Sequence, residues 1–391
     1  MASHILVLNA GSSSVKFSVW SVGPDTRRTL ALLQRGAVTQ IGGPARFEVV
    51  DRAGTELAAD AVAAGTHALA WQRILDWLDA NLPGVEFHAV GHRVVHGGDR
   101  YTRPVPVDAE VLADLRALIP LAPLHQPHSL AAIELLAEQR PHLKQVACFD
   151  TAFHQSQPPI ARRFALPREL HEAGIKRYGF HGLSYEYLAQ VLPDYLGEVA
   201  DGRVIVAHLG NGASLCALHQ RKSIATTMGF TPLDGLMMGT RCGALDPGVV
   251  LYLQRARGMS LEQVEHVLYH ESGLLGVSGS SGDMSVLLKS HDPRAQEAID
   301  LYVYRIAREI GSLAAALGGV DALVFSGGIG ENAAPIRARV CDALAWLGVH
   351  LDAAGNAVAG PCISRAGSAV SVWVVATHED EIIAQHVVHA A

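Results

Sequence analysis

An apolar run at the start of the chain breaks on a turn of small residues and then resumes with alternating side chains. The stretch HILVLNAGSSSVKFSVW covers residues 4–20, with aliphatic residues at 5–8 and alternation over 15–20. This pattern predicts two strands joined by a tight turn. A turn of Gly and Ser carries little bulk and exposes backbone N–H groups, so it suits either an ordinary hairpin or an anion site.

The same pattern returns near the middle of the chain. VIVAHLGNGASLCALHQ covers residues 204–220 and places an apolar strand before Gly-Asn-Gly, a strong hairpin signal. When the two stretches are laid together, Gly11 aligns with Gly210 and Ser14 with Ser214. Two copies predict a duplicated fold whose two turns face one cleft and hold a phosphate from two sides.

A third strand–turn segment, DALVFSGGIGEN, covers residues 321–332 and predicts a helix that begins near Glu331. A Gly-rich turn between a strand and a helix presents bare N–H groups to a nucleotide. Gly328, Gly330 and Ala333 also fit a dinucleotide fingerprint loosely. A dinucleotide oxidoreductase is therefore one alternative function, whereas no P-loop pattern occurs in the sequence.

Composition excludes several classes of protein. With 391 residues, of which 49% are hydrophobic and 18% charged, the chain predicts two globular domains. A net charge of −7 argues against a nucleic-acid partner, and no apolar run approaches the ~18 residues of a membrane span. The start lacks a basic n-region and the five cysteines form no CxxC pair. We expect a cytoplasmic protein with reduced thiols.

Arg93 lies between two histidines in AVGHRVVHGGDR, residues 89–100. The β-branched residues and the Gly pair predict a strand. Residues four apart on a strand lie roughly 13 Å from each other, so His92 and His96 are too distant to share one metal ion. Arg93 at the strand end suits an anion, and a surface ion pair is the alternative.

Three further polar side chains occupy positions typical of functional groups. Asp150 ends an apolar strand, as functional residues of open α/β sheets do. His181 precedes an amphipathic helix for which Ser184 is the predicted N-cap. Arg241 lies in a long loop punctuated by Gly and Pro, 229–248, and such loops in compact domains are often functional.

The C-terminal stretch AVSVWVVATHEDEIIAQHVV, residues 369–388, predicts a strand, an acidic turn and a terminal helix. The carboxylates of 379–381 have two interpretations. They can favour the dipole of the helix that follows. Alternatively, Glu379 faces the site and helps to hold Mg²⁺ through water.

Nine of these segments together resemble the acetate kinase family, which belongs to the larger sugar kinase, actin and heat-shock-70 ATPase fold. In order along residues 9–382 they are NAGSSSVKF, GHRVVHGGD, LAPLHQP, FDTAFHQ, YGFHG, HLGNGAS, GFTPLDGLMMGTR, SGGIGEN and THEDEI. The resemblance implies an α/β, two-lobed, duplicated actin-like ATPase (ribonuclease H-like) fold with a central interdomain cleft. We expect an N-terminal lobe of 1–151 plus 381–391 and a C-terminal nucleotide-binding lobe of 152–380.

The resemblance also implies a reaction, ATP + acetate ⇌ ADP + acetyl phosphate, with Mg²⁺ (or Mn²⁺) as cofactor, and a homodimer. The implied catalytic residues are Arg93, Asp150, His181 and Arg241. The implied substrate-binding residues are Arg93, Val95, Leu124, Phe180 and Pro232. The implied nucleotide-binding residues are Lys16, His208, Leu209, Gly210, Asn211, Gly212, Asp283, Met284, Ser285, Gly327, Gly328, Ile329, Gly330 and Asn332, and the implied metal-site residues are Asn9 and Glu379.

Physical chemistry agrees with this assignment. A carboxylate nucleophile titrates near ~4 and is ionised at pH 7, so it needs no general base. It needs positive charge where the in-line transition state spreads negative charge. We therefore expect Arg93 to bind the acyl carboxylate, Arg241 the γ-phosphoryl group and His181 the transferring group, while Asp150 organises Mg²⁺ water.

The sequence departs from the family pattern at several positions. Ser285 stands where the family usually has an arginine beside the adenine ring, so we expect a loosened nucleotide preference. Tyr185 and Leu183 replace a histidine and a threonine after His181. The remaining departures are Cys242, Ala244, Gln126 and Ser129.

Two alternatives besides the oxidoreductase remain open. A kinase for propionate or another short-chain acid would use the same mechanism. Val95 favours a small acyl group, but selectivity per methylene is only about 1–3 kcal/mol, so we expect propionate turnover as a side activity. A non-catalytic nucleotide sensor on the same fold would lack some of the four charge-handling residues, and all four are present.

Overall fold

The computed structural model describes residues 3–11, 14–23 and 29–390, and the chain divides into two compact units. Unit 1 comprises Met1–Ala152 and His378–Ala391, and unit 2 comprises Phe153–Thr377. The chain thus passes between units after 152 and 377, where the sequence analysis placed the boundaries after 151 and 380. Each unit holds a β-sheet with helices, which confirms the α/β class.

Unit 1 contains an eight-stranded sheet in the order β5-β4-β3-β2-β1-β6-β8-β7. Its strands are β1 (Ser3–Ala10), β2 (Val15–Val22), β3 (Leu30–Thr39), β4 (Arg46–Asp51), β5 (Glu56–Ala61), β6 (Phe87–Val94), β7 (Val105–Pro106) and β8 (Lys144–Phe149). Its first three helices are α1 (His67–Asn81), α2 (Ala109–Ala117) and α3 (Gln126–Gln139). Phe17, Phe47 and Trp77 pack together in its core, with ring centroids 6.1–6.5 Å apart.

Unit 2 contains a five-stranded sheet in the order β11-β10-β9-β12-β13. Its strands are β9 (Arg203–Leu209), β10 (Ala213–His219), β11 (Lys222–Thr226), β12 (Ala322–Ser326) and β13 (Ser371–Val374). Its helices are α4 (Arg168–Glu172), α5 (Gly182–Leu196), α6 (Pro247–Arg255), α7 (Leu261–His270), α8 (Gly273–Ser278), α9 (Met284–Leu287), α10 (Pro293–Leu317), α11 (Gly327–Asn332), α12 (Ala334–Ala343) and α13 (Ala353–Ala357). The centre of the sheet is apolar on both faces, since residues 204–207 and 322–325 are all buried.

The two sheets repeat one arrangement, which confirms the duplication. In unit 1 an antiparallel meander, β3-β2-β1, is followed by the parallel strands β6 and β8. In unit 2 the meander β11-β10-β9 is followed by the parallel strands β12 and β13. In both sheets the meander strand that comes first in the sequence therefore lies beside a parallel strand: β1 beside β6, and β9 beside β12.

The register corrects one detail of the predicted repeat. The first hairpin closes on the pair Ala10–Val15 and the second on Leu209–Ala213. Gly11 N–H donates to the Ser14 carbonyl, and Gly210 N–H donates to the Gly212 carbonyl. Ser14 therefore corresponds to Gly212, and its predicted match with Ser214 is wrong because the second turn is one residue shorter. Ser12 and Ser13 of the first turn lie outside the described residues.

The last helix, α14 (Glu379–Ala390), belongs to unit 1 and begins earlier than the predicted residue 381. It packs on β1 and β6. A Cβ added at Gly91 of β6 would meet Ile383 and lie 2.7 Å from Val387, so only glycine allows this close approach. The packing fixes the acidic first turn of α14 relative to the sheet of unit 1.

Two predicted helix starts are wrong. Helix α11 begins at Gly327 instead of near Glu331, because the Gly-rich segment itself forms a helical turn. Helix α5 begins at Gly182, with His181 as its N-cap residue in the left-handed conformation (φ 59°). Ser184 lies in the first turn of α5 instead of capping it, and its hydroxyl serves another group, described below. None of the described helices is long and apolar enough to cross a membrane.

Candidate active site

Three polar side chains meet at the carboxyl ends of neighbouring parallel strands in unit 1. Arg93 lies near the end of β6, Asn9 near the end of β1, and Asp150 directly after β8. The Arg93 guanidinium donates from Nε to Asp150 Oδ1 (3.0 Å), from Nη2 to Asp150 Oδ2 (2.6 Å) and from Nη1 to Asn9 Oδ1 (3.2 Å). This bidentate pair is strong and directional. The structure thus brings Arg93 and Asp150, which the sequence analysis treated separately, into direct contact at the strand ends.

The electrostatics of this cluster keep Arg93 charged. Burial disfavours the charge, but Asp150, Glu379 and Asp380 outweigh that effect and raise the pKa of Arg93. Burial also raises the pKa of Asp380, while a hydrogen bond from Ser18 and the charge of Lys16 oppose that rise. Three carboxylates therefore surround one arginine in a poorly solvated place, which favours an additional cation.

The donor atoms in this cluster fit Mg²⁺ held largely through water. Mg²⁺ usually keeps several waters and takes one or two carboxylates together with substrate phosphates. Asp150 and Glu379 offer carboxylates of that kind, whereas the Asn9 amide oxygen already accepts from Arg93. Within the described residues, no three His, Cys, Asp or Glu side chains form a metal cage by themselves.

The predicted substrate-pocket residues divide between the two units. Val95 (2% exposed) follows β6 and half-buried Leu124 precedes α3, both in unit 1. Phe180 (1% exposed) and buried Pro232 belong to unit 2. A single pocket formed by these four side chains stays a prediction.

Two histidines stack against each other in unit 2. The ring centroids of His181, at the start of α5, and His208, near the end of β9, lie 4.5 Å apart, with the ring planes inclined by 29°. His181 Nδ1 lies 2.8 Å from the Ser214 hydroxyl, and His208 Nδ1 lies 2.8 Å from the Ser184 hydroxyl. Ser184 also donates to Thr377. Each imidazole is thus oriented by a buried serine, and neither contact is predictable from the neighbouring residues in the sequence.

Arg241 and His181 converge on the backbone of Gly212. A Cβ added at Gly212 would lie 2.8 Å from Arg241 Nη2 and 3.2 Å from His181 Nε2. Arg241 Nη1 donates to the Pro232 carbonyl (2.7 Å), which fixes the guanidinium within its loop. The structure therefore brings together three of the predicted site residues of unit 2, His181, Gly212 and Arg241, with no side chain at Gly212 between the other two.

This close approach predicts a specific sensitivity at Gly212. Replacing it with alanine should displace Arg241 or His181 and lower kcat by about 10²-fold, because such groups act only when accurately placed. Gly65→Ala is the matched control, since nothing lies within 4 Å of an added Cβ there. Steady-state kinetics of both variants, with unfolding curves to show intact folding, test this. Equal kcat for both would contradict it.

His154 is a site residue that the sequence analysis missed. Its Nε2 lies 2.8 Å from the Phe180 carbonyl and its Nδ1 lies 2.9 Å from the Ser223 hydroxyl. Burial lowers the pKa of His154 to about 4, so the ring is neutral and donates from Nε2. It lies within 2.6 Å of a Cβ added at Gly179, whose φ is +80°. His154 thus holds the backbone that leads into His181.

The predicted nucleotide loop follows β12 as the short helix α11. Gly327 takes φ +77°, and its N–H donates to Glu331 Oε1 (2.8 Å). Gly328 is exposed with open space where a Cβ would stand, and Asn332 Nδ2 donates to its carbonyl. A Cβ added at Gly210 would lie 4.0 Å from Gly328 N, so this loop lies beside the second hairpin turn.

The buried side chain of Arg337 holds this loop through hydrogen bonds to its backbone carbonyls. No sequence motif identifies Arg337 as part of the site. The side chain is 1% exposed and donates from Nη1 to the carbonyls of Gly330 and Glu331 (2.8 Å each). It also donates from Nε and Nη2 to the side chain and backbone of Asn356 (2.8 and 2.7 Å). Burial lowers the pKa of Arg337. Four hydrogen bonds to carbonyl oxygens compensate this buried group.

The remaining predicted nucleotide residues lie in different surroundings. Asp283 accepts from Ser285 N–H (2.7 Å) as the N-cap of α9, and hydrogen bonds from the side chain and the backbone of Ser285 lower its pKa. Met284 is buried (3%) and Ser285 exposed. Lys16 belongs to unit 1, exposed on β2 opposite Asn9. Among the others, Leu209 is buried, Ile329 and His208 are half-buried, and Asn211 is exposed.

Comparisons with known proteins agree over nearly the whole chain. Residues 4–385 match the Acetokinase family. The acetate kinase of Rhodopseudomonas palustris is 56% identical over 391 residues, covering 99% of this chain and 98% of that protein. The acetate kinase of Methylocella silvestris is 48% identical over 393 residues, covering 99% and 97%.

Solved structures give the same result. The crystal structure of Porphyromonas gingivalis acetate kinase has a TM-score of 0.85 and 37% identity, covering 99% of each chain. A propionate kinase from Francisella tularensis has a TM-score of 0.90 and 38% identity, covering 98% of each chain. The resemblance found in the sequence is confirmed, and the chain belongs to the acetokinase family.

Proposed function

We propose that the protein transfers the γ-phosphoryl group of ATP directly to acetate, forming ADP and acetyl phosphate, and catalyses the reverse reaction. Membership of the acetokinase family supports this reaction. The observation that carries it is the convergence of Arg241 and His181 on Gly212, in the hairpin turn beside the Gly-rich loop at Gly328. Backbone N–H groups and a guanidinium in one place suit a transferring phosphoryl group.

Arg93 retains the capacity to bind the acyl substrate. An arginine has five N–H donors. The three hydrogen bonds to Asp150 and Asn9 use one donor on each of Nε, Nη1 and Nη2. One donor on each terminal nitrogen has no acceptor among the described residues, and these two donors match the two oxygens of a carboxylate. We assign the acetate carboxylate to them, with Val95 against the methyl group.

No residue is assigned as a general base. Acetate is ionised at pH 7, so no proton has to leave the nucleophile. The barrier comes from bringing two anions together, and charge complementarity at Arg93, Arg241 and His181 lowers it. Asp150 orients Arg93 and lies where it can accept hydrogen bonds from metal-bound water.

Mg²⁺, or Mn²⁺ in its place, is proposed as the cofactor. It would be held by Glu379 and Asp150, largely through water, with Asn9 nearby. When bound, the ion neutralises charge on the nucleotide phosphates. Lys16 lies opposite Asn9 on the neighbouring strand and is proposed to add a positive charge for the phosphates.

We assign the nucleotide mainly to unit 2, consistent with its Gly-rich loop and hairpin turn. Unit 2 corresponds to the C-terminal nucleotide-binding lobe predicted as 152–380, but it ends at residue 377. Asp283 caps α9 through its carboxylate, and we propose that this orders the segment beside the adenosine.

A hydroxamate assay for acyl phosphate, run with acetate, propionate and butyrate, tests the function. We expect the highest kcat/KM with acetate, a lower value with propionate, and little product with butyrate. Higher kcat/KM with propionate would favour the second candidate, a propionate kinase. No acyl phosphate with any acid, together with nucleotide binding, would favour the sensor, and an absorbance change with NAD(H) would favour the oxidoreductase.

The exposed Ser285 predicts a weak preference among purine nucleotides. A serine offers no surface for stacking on a base, so its contribution to choosing adenine is small. We expect kcat/KM for GTP and ITP within about tenfold of that for ATP. Ser285→Arg is the informative variant, because it should raise the preference for ATP. A strong ATP preference in the wild type would contradict this expectation.

We further propose a homodimer in the cytoplasm. Apolar side chains are exposed on and near α6, at Val249, Leu251, Tyr252, Leu245 and Leu261. Five exposed apolar side chains within 17 residues of sequence suit contact with a second copy. Sedimentation equilibrium should give twice the mass of the chain, and a charged replacement such as Leu251→Glu should shift the species towards monomer.

A further inference from the structure

A chain of three polar atoms leads from the core of unit 2 to His181. Tyr185 follows His181 by one turn of α5, and its backbone N–H donates to the His181 carbonyl (3.1 Å). Its ring is 0% exposed, and its hydroxyl lies 2.6 Å from Ser214 Oγ. Ser214, also 0% exposed, lies 2.8 Å from His181 Nδ1. The order is therefore Tyr185, Ser214, His181.

Counting hydrogens fixes the direction of this chain. Tyr185 and Ser214 each carry one hydroxyl proton. Among the described residues, neither hydroxyl has a hydrogen-bond partner other than the members of this series, Tyr185, Ser214 and His181. If Tyr185 donates to Ser214 and Ser214 donates to Nδ1 of His181, both protons are satisfied. If Nδ1 carried a proton and donated to Ser214, one hydroxyl proton would stay buried without an acceptor. Buried donors without partners are rare because they lose water and gain nothing.

The hydroxyl of Tyr185 stays a donor across the working range of pH. Burial raises the pKa of Tyr185 well above its usual value, with the neighbouring Cys216 adding to this rise. Since the phenol does not ionise, it cannot turn into an acceptor-only group. The direction set by the hydrogen count therefore holds while the fold is intact.

The consequence appears at the other ring nitrogen of His181. With Nδ1 as the acceptor, a neutral imidazole carries its proton on Nε2. That atom is the one that lies beside Gly212, where Arg241 Nη2 also lies. A neutral N–H donor adds a hydrogen bond to the transferring group without placing a second positive charge against Arg241.

We propose that Tyr185 is a positioning residue which, through Ser214, holds His181 in the tautomer with its proton on Nε2, aimed at the transferring phosphoryl group. The phosphoryl part rests on the proposed function, whereas the tautomer does not. Tyr185 touches neither substrate nor nucleotide in this account and acts only through the serine.

Long-range ¹H–¹⁵N correlation spectra of histidine-labelled protein test the tautomer directly. His181 should show an unprotonated Nδ1 and a protonated Nε2 in the wild type, assigned by loss of its signals in His181→Gln. In Tyr185→Phe and in Ser214→Ala the two nitrogens should shift towards an average of both tautomers. His208, held by Ser184, is the internal reference and should shift little. A protonated Nδ1 in the wild type, or unchanged His181 signals in both variants, would overturn the proposal.

Kinetics separate positioning from simple support of the fold. Tyr185→Phe should lower kcat by roughly tenfold, with KM for ATP and acetate unchanged, because one oriented hydrogen bond is lost. Tyr195→Phe removes the same hydroxyl from an exposed position at the other end of α5 and should have no effect. The double variant Tyr185→Phe/Ser214→Ala should be no slower than Ser214→Ala alone, and additive losses would overturn the chain. A tautomer shift in a protein that makes no acyl phosphate would refute the proposed function and leave the tautomer assignment intact.

Discussion

Replacing Arg241 with alanine is expected to lower kcat by about 10²–10³-fold without unfolding the protein. The guanidinium is half-buried, is held by the Pro232 carbonyl and lies against Gly212 beside His181. Its charge is therefore placed before the reaction begins, and the charge that develops on the phosphoryl group needs no reorganisation of solvent there. Removing one such group typically costs about 2.7–4 kcal/mol of transition-state stabilisation.

Arg241→Lys should recover only a small part of this loss, because an ammonium group keeps the charge but not the planar pair of donors. Arg308→Ala removes an exposed arginine of α10 and serves as the control. Steady-state kinetics with saturating ATP and acetate measure the effect. A kcat of Arg241→Ala within about threefold of the control would show that Arg241 does not act on the transition state.

Replacing Arg93 with methionine is expected to abolish measurable turnover and to lower the free energy of unfolding of unit 1 by about 3–5 kcal/mol. Asp150, whose side chain is 1% exposed, would lose its bidentate ion pair with Arg93. Urea unfolding, followed by tryptophan fluorescence in a Trp346→Phe/Trp373→Phe background, reports on unit 1 through its own three tryptophans.

A second variant distinguishes loss of the ion pair from loss of packing. Arg93→Met/Asp150→Leu should regain most of the stability but none of the activity, since apolar replacements of a buried ion pair are often tolerated. Arg46→Met breaks an exposed pair with Glu48 and should change stability by less than about 1 kcal/mol. If Arg93→Met were as stable as Arg46→Met, the Arg93–Asp150 pair would not be the buried, matched pair described here.

The sequence predicted the strands and their ends better than it predicted the helix starts. The apolar runs before Asn9, Arg93 and Asp150 identified three strands, and parallel pairing brings their ends together. The predicted start of helix α11, near Glu331, lies after its observed start at Gly327, because glycine usually weakens helices. Here Gly327 takes a positive φ and Glu331 accepts from its N–H, which stabilises a turn that local propensity disfavours.

The supporting side chains of the site were not predictable from one sequence. His154, Ser214 and Arg337 act through contacts with residues distant in the chain, such as Phe180, His181 and Gly330. Nothing in their immediate neighbours signals those contacts. Ser184 is an example. From the sequence, a serine near a helix start fits an N-cap as well as it fits a contact within the site, and only the structure shows that its hydroxyl lies beside His208.

The stereochemistry at phosphorus tests the central claim most directly. In the proposed reaction, acetate attacks the γ-phosphorus in line, Arg93, Arg241 and His181 stabilise charge, and no residue accepts the phosphoryl group. ATP made chiral at its γ-phosphorus with oxygen isotopes should therefore give acetyl phosphate of inverted configuration. Retention of configuration would require two successive transfers through a phosphorylated side chain and would contradict direct transfer between the two anions.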